Sequence, residues 1–214
     1  MDLGRPFSVI TPTVDGDVLA VLGAARASFT GRQVQQIDGR HSEKGVRNAL
    51  QRLCGQGIVT RERVGSADLY TLNLEHLAAP HVEALAALRH ELLQRLAAAF
   101  REWEVRPAYA ALFGSAARGD MSLDSDIDLL VVRPHGVAIE HSGWRDQLGD
   151  LISRVTAWTG NDTRPLELSE LEVSRGLAAD EPVLSEISAD GLLLYGPHTY
   201  LTKAHAARRR ERRG

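Results

Sequence analysis

Residues 112–132 read LFGSAARGDMSLDSDIDLLVV. An apolar run stops at Gly114-Ser115 and Arg118-Gly119 follows. Asp124, Asp126 and Asp128 then take every second position before the chain turns apolar again. Alternate residues of a strand point to one face, so Asp126 and Asp128 share a face with their Cα atoms about 7 Å apart. Asp124 falls in the preceding turn. A glycine at 114 lets backbone amides approach an anion, and the helix after it adds further N–H donors. Ser115 contributes a hydroxyl and Arg118 a fixed cation, so this half of the stretch suits a polyphosphate.

Two familiar sites are excluded. Gly114 to Gly119 has P-loop spacing, but Asp120-Met121 stands where Lys and then Ser or Thr are required. The aspartates match the first three ligands of an EF-hand, but Leu129 replaces its glycine and His135 its final glutamate. What remains is phosphoryl chemistry at two divalent cations about 3.5–4 Å apart, shared by paired carboxylates. A third carboxylate on a neighbouring strand would complete such a site. In RPLELSE (164–170) Leu166 and Leu168 take the core face and Glu167 points the other way, which makes Glu167 the candidate. The competing reading of Glu167 is a solvent-facing residue on an edge strand.

Around this stretch, strands and helices alternate. Tyr109–Phe113, Ile127–Val132, Pro165–Leu168 and Leu192–Tyr195 read as strands. Trp144–Trp158 reads as a helix stopped by Gly160, and Ser169 with Glu172 forms a capping box for the next one. Pro182 opens a last helix, which Gly191 ends.

Upstream, Val82, Leu85, Leu88, Leu92, Leu96, Phe100 and Trp103 recur at helical spacing. They predict one amphipathic helix over residues 80–104, a linker or dimerisation element. Further upstream come a short helix over 15–25, a second ending at Gly39, and a third capped by Ser42 and stopped by Gly55 and Gly57. IVTRERVGSADLYTLN then alternates on both sides of Gly65-Ser66, a hairpin pattern. Three helices and a hairpin, the third helix basic, is the order of a winged helix-turn-helix. Its DNA-facing candidates are Lys44, Arg47, Asn48, Gln51 and Arg52 on the helix and Arg61 and Arg63 on the wing. The competing reading of this face is a protein-docking surface.

Net charge is −3 over 214 residues, but it is uneven. Residues 26–63 carry eight basic side chains against three acids, and the tail from Lys203 carries Lys203 and five arginines against Glu211. Basic islands in an acidic chain suggest nucleic acid, although the tail alone reads as a solvated charge run. No apolar run approaches the roughly 20 residues of a membrane span, and the first residues lack a secretory pattern. The lone Cys54 sits in an apolar helical pattern and reads as buried and inert, in keeping with a reducing cytoplasm.

Gly114-Ser115, Arg118-Gly119 and Ser125-Asp126-Ile127-Asp128-Leu129 resemble the signature of the DNA polymerase β-type nucleotidyltransferase superfamily. The compact form is similar to the minimal nucleotidyltransferases, which often occur as antitoxins beside HEPN toxins. The resemblance covers residues 105–198. It implies that Asp126 and Asp128 bind Mg²⁺ as catalytic ligands, that Gly114 and Ser115 hold the triphosphate near Arg118 and Ser125, and that a third acid, Glu167 here, helps activate the acceptor. It further implies two Mg²⁺ ions, an NTP substrate with ATP foremost, an acceptor that is a protein toxin, an RNA or a small molecule, and a homodimer. The N-terminal part more loosely resembles winged-helix regulators of the ArsR or MarR sort.

The expected architecture is α+β. It comprises a winged helix-turn-helix domain (1–76), a linker helix (77–104), a mixed-sheet nucleotidyltransferase domain (105–198) and a basic tail (199–214). The expected function is Mg²⁺-dependent NMP transfer from an NTP to a protein, RNA or small-molecule acceptor, in a chain that also carries a DNA-binding winged-helix domain, as a component of a toxin–antitoxin pair. The alternative is a DNA-binding regulator whose second domain only binds nucleotide.

Overall fold

The computed structural model describes residues 1–202. The basic run from Lys203 to Gly214 lies outside the described residues. The chain divides into two compact units, Met1–Glu91 and the remainder from Leu92.

The first unit runs α1 (Val14–Ala24), β1 (Phe29–Thr30), α2 (Gly31–Asp38), α3 (Glu43–Gly55), β2 (Val59–Val64), β3 (Ala67–Leu72) and α4 (Ala79–Ala86). Local chemistry sets the boundaries. Thr30 and Gln33 form a reciprocal capping box at α2, and Gly39 ends that helix in the left-handed region at φ 66°. The Ser42 hydroxyl accepts from the Gly45 amide at the start of α3. Val64 pairs with Ala67 across Gly65-Ser66, so β2 and β3 form the expected hairpin. The antiparallel sheet has the order β1-β3-β2. Its third strand, β1, is only two residues long and carries no periodicity for a sequence reading to find. Val18, Leu22, Val34, Val46, Ala49, Leu50, Leu53 and Leu72 make the core.

A polar network ties the start of the chain to this core. Asp17 is buried in the first turn of α1 and accepts from Arg5 at 2.6 Å. His41 Nε2 lies 2.7 Å from the same carboxylate oxygen. Asp38 accepts from the backbone amides of Arg40 and His41. Arg5 precedes a 3₁₀ turn, Pro6–Val9, that seats Phe7 in the core.

The apolar spacing over residues 80–104 predicts one helix, but the structure breaks it at Ala87 into α4 and α5 (Leu88–Glu102). Neither glycine nor proline marks the break, and the apolar period continues through it. The division between the units falls within α5.

The second unit continues with β4 (Tyr109–Phe113), α6 (Gly114–Arg118), β5 (Ile127–Arg133), α7 (Ser142–Thr159), β6 (Thr163–Ser169), α8 (Glu170–Ala178), α9 (Pro182–Asp190) and β7 (Leu192–Tyr195). The sheet order is β6-β5-β4-β7. β5 runs parallel to β6 and antiparallel to β4, so the sheet is mixed. One face packs Ala111, Leu130, Val132, Leu166 and Leu168 against Val173 and Leu177 of α8 and Leu184 and Ile187 of α9. On the other face the fully buried Trp144 of α7 donates its indole N–H to Glu167 of β6 at 2.9 Å. Helices therefore cover both faces, which is why β5 is apolar from Leu129 to Val132.

Burial opposes the Asp17 charge, but the hydrogen bonds from Arg5 and His41 outweigh it and hold this carboxyl below its ordinary 3.8. A depressed carboxylate stabilises the fold above its unfolded pKa, and that stability is lost as pH falls through the folded value. Asp17→Asn should therefore cost about 1–3 kcal/mol at neutral pH. The gap between variant and wild type should close as pH falls below about 3.8. Urea denaturation of both proteins across pH checks this.

Candidate active site

The Gly114 turn and the mouth of β5 meet directly. Phe113 pairs with Asp128 across the β4–β5 ladder, so the turn after β4 is brought onto that carboxylate. Gly114 has φ 66°, and a Cβ placed on it would fall 2.6 Å from Asp128 Oδ2. Glycine is required here twice over, by the left-handed backbone and by the close approach. Ala116 and Ala117 are buried behind the turn, whereas Arg118 is exposed. Its guanidinium pairs with Asp120 at 3.3 Å and with Glu186 of α9.

Asp126 and Asp128 are both half-buried, and Asp124 is exposed in the turn before them. Burial and the adjacent Asp126 charge push the Asp128 carboxyl above its ordinary range, against the opposing pull of Arg164. Glu186 adds a further upward push. The carboxylates thus feel each other, as two oxygen donors for one cation must.

The loop that delivers them is braced from α7's far end. The buried Asn161 donates its amide N–H to Ser125 O at 2.8 Å and to Leu123 O at 3.2 Å. The Ile127 amide donates to Asp162 O at 2.8 Å. The Ser125 hydroxyl accepts from the Ser122 amide at 2.9 Å, so it folds the loop upon itself. Nothing in the periodicity of residues 159–163 distinguishes Asn161 from an ordinary loop residue; only its partners do.

Glu167 does not join the aspartates, and the expectation for it is corrected. In the parallel β5–β6 pair it lies opposite Val131, whereas Asp128 lies opposite Arg164. Val131 and Asp128 are an odd number of positions apart and face opposite sides of the sheet. Glu167 is instead ion-paired with Arg133 and hydrogen-bonded to Trp144 on the α7 side. Reading Leu166 and Leu168 as the only core face led to the error, because the aspartates stand on that same face. The residue that β6 places beside them is Arg164, whose Nη1 lies 2.9 Å from Asp126 Oδ2.

In the first unit Lys44, Arg47, Asn48 and Gln51 are exposed at positions i, i+3, i+4 and i+7 of α3, one continuous stripe. Arg52 is exposed too, but both its Nε and Nη2 donate to Asp15 of α1, at 3.2 and 2.7 Å. Arg61 and Arg63 are exposed on β2, and Arg63 lies 3.5 Å from Asp68. Asp17, Asp38 and His41 offer ligand atoms within 4.8 Å of one another. The Arg5 guanidinium already occupies Asp17 there, which opposes a cation.

Residues 93–173 match the family model described as "Nucleotidyltransferase domain". No curated protein matches the chain. Among solved structures, a toxin–antitoxin with AMP-PNP is 15% identical over 56% of this chain and 89% of that one, with a TM-score of 0.38. The doubly substituted toxin–antitoxin MntA-HpeT is 12% identical over 56% of this chain and 88% of that one, with a TM-score of 0.36. The second unit thus carries a region that matches a nucleotidyltransferase domain.

Gly114→Ala should force the turn away from Asp128. A loss of about 1–2 kcal/mol in stability is expected from the strained φ alone. Weaker Mn²⁺ binding should accompany it. Thermal denaturation and Mn²⁺ titration of the variant check both effects.

Proposed function

We propose that the second unit is a Mg²⁺-dependent nucleotidyltransferase moving an NMP from an NTP onto an acceptor hydroxyl. The observation that carries the reading is the pair Asp126 and Asp128 set on one strand face against the side-chain-free Gly114 turn. Two adjacent carboxylates on one strand face fit a hard, oxygen-liganded cation. Asp126 and Asp128 would hold Mg²⁺, which supplies charge stabilisation to the transferring phosphoryl group. Gly114 lets the triphosphate approach the backbone, Ser115 offers a hydroxyl, and Arg118 adds positive charge at the rim. Asn161 keeps the aspartate loop in place through Ser125 and Leu123. In the transfer the acceptor O–H loses its proton, its oxygen bonds to the α-phosphorus in line, and pyrophosphate leaves. A protein toxin, an RNA end or a small molecule would serve as acceptor, and ATP is the foremost donor.

We further propose that the first unit is a winged helix-turn-helix that contacts duplex DNA, as a homodimer that places two α3 stripes on two half-sites. Support comes from the element order, from the stripe of Lys44, Arg47, Asn48 and Gln51, and from Arg61 and Arg63 on the hairpin. Arg52 contributes least, because Asp15 holds its guanidinium.

A second reading, a regulator that binds nucleotide without turnover, is favoured by one feature. The strand next to the aspartates presents Arg164 where a third carboxylate was expected.

Incubation with Mg²⁺ and each α-labelled NTP, with candidate acceptors, separates these readings. The enzyme reading expects label on one acceptor and a loss of at least roughly 100-fold in Asp126→Ala, which should stay folded. Nucleotide binding without transfer, coupled to a change in DNA affinity, establishes the second reading instead. For DNA, Arg47→Ala should weaken binding to all sequences alike and reduce the salt slope by about one.

A further inference from the structure

We propose that Arg164 takes the place of a second divalent cation: the site holds one such ion, on Asp126 and Asp128, and Arg164 supplies further positive charge to the nucleotide's phosphates. This rests on the nucleotide reading above.

Both neighbours of β5 are on view at the site. β4 offers Phe113 opposite Asp128, and β6 offers Arg164 opposite the same residue. Neither strand supplies a carboxylate at that level. The one acid of β6 that the sequence suggested, Glu167, is held on the other face by Arg133 and Trp144. Glu186, the helix-borne acid that bears on Asp128, is already paired with Arg118. The site therefore combines two carboxylates with a guanidinium lying 2.9 Å from one of their oxygens.

Charge decides between one ion and two. One divalent ion neutralises the charge of Asp126 and Asp128. A second would have to share Asp126 with a guanidinium in hydrogen-bonding contact, and neither β4 nor β6 offers it a carboxylate at that level. The Arg164 side chain is 69% exposed, so its pair with Asp126 is weak and readily exchanged. When a cation takes Asp126, the guanidinium is left beside the Asp128 level of the site. There a triphosphate offers oxygens that match its planar fork.

Electron paramagnetic resonance of Mn²⁺, in the presence of a non-hydrolysable ATP analogue, counts the bound ions. One Mn²⁺ per chain is expected for the wild type, two for Arg164→Asp, and none for Asp126→Ala. Arg164→Ala should bind the analogue roughly tenfold more weakly, with Arg164→Lys recovering part of the loss. Circular dichroism confirms that each variant is folded. Two ions in the wild type, one in Arg164→Asp, or unchanged analogue affinity in Arg164→Ala would each overturn the proposal while leaving the nucleotide site standing. A wild type that binds neither Mn²⁺ nor analogue overturns the nucleotide reading itself, and this proposal with it.

Discussion

The oxygen of Asp128 lies where any side chain on residue 114 would have to be. That exclusion fixes the rest of the site. The β4–β5 register must bring Phe113 opposite Asp128, and the chain must turn at φ 66° immediately afterwards. The next carboxylate along the same face is then Asp126, at the rim. The glycine turn is thus joined to two carboxylates on one face of the strand. Such a combination fits a nucleotide with its metal.

The register on the other side of β5 is as restrictive. A parallel pairing sets Arg164 against Asp128 and Glu167 against Val131. Parity along the strand then separates Glu167 from the aspartates whatever its rotamer. The buried Trp144 indole and Arg133 complete a separate polar cluster on the α7 face. Glu167 thus serves the packing of α7 onto the sheet.

Much of this was legible in the sequence because it is written in local chemistry. Gly-Ser after an apolar strand, aspartates at period two, the Ser169 capping box and the Gly65-Ser66 hairpin each leave a mark within a few residues. What stayed hidden is set by pairing between distant segments. Glu167 was misread because periodicity gives two faces to a strand without saying which face its neighbour shares. Arg164 and Asn161 carry no pattern of their own; their roles come from the β6 register and from the loop that Asn161 clamps. The Arg5–Asp17–His41 network, the two-residue β1 and the break at Ala87 are likewise products of tertiary contacts or of geometry that no residue type announces.

The two units pose separate questions, one of chemistry and one of duplex recognition, and the aspartate pair bears on the first alone. The most direct test of that pair is the anomalous scattering of Mn²⁺ in crystals grown with a non-hydrolysable NTP analogue. A peak bonded to both Asp126 and Asp128 is expected, with the triphosphate lying over Gly114 and Ser115. A peak elsewhere, such as at Asp17, Asp38 and His41, or a nucleotide bound away from the Gly114 turn, would contradict it.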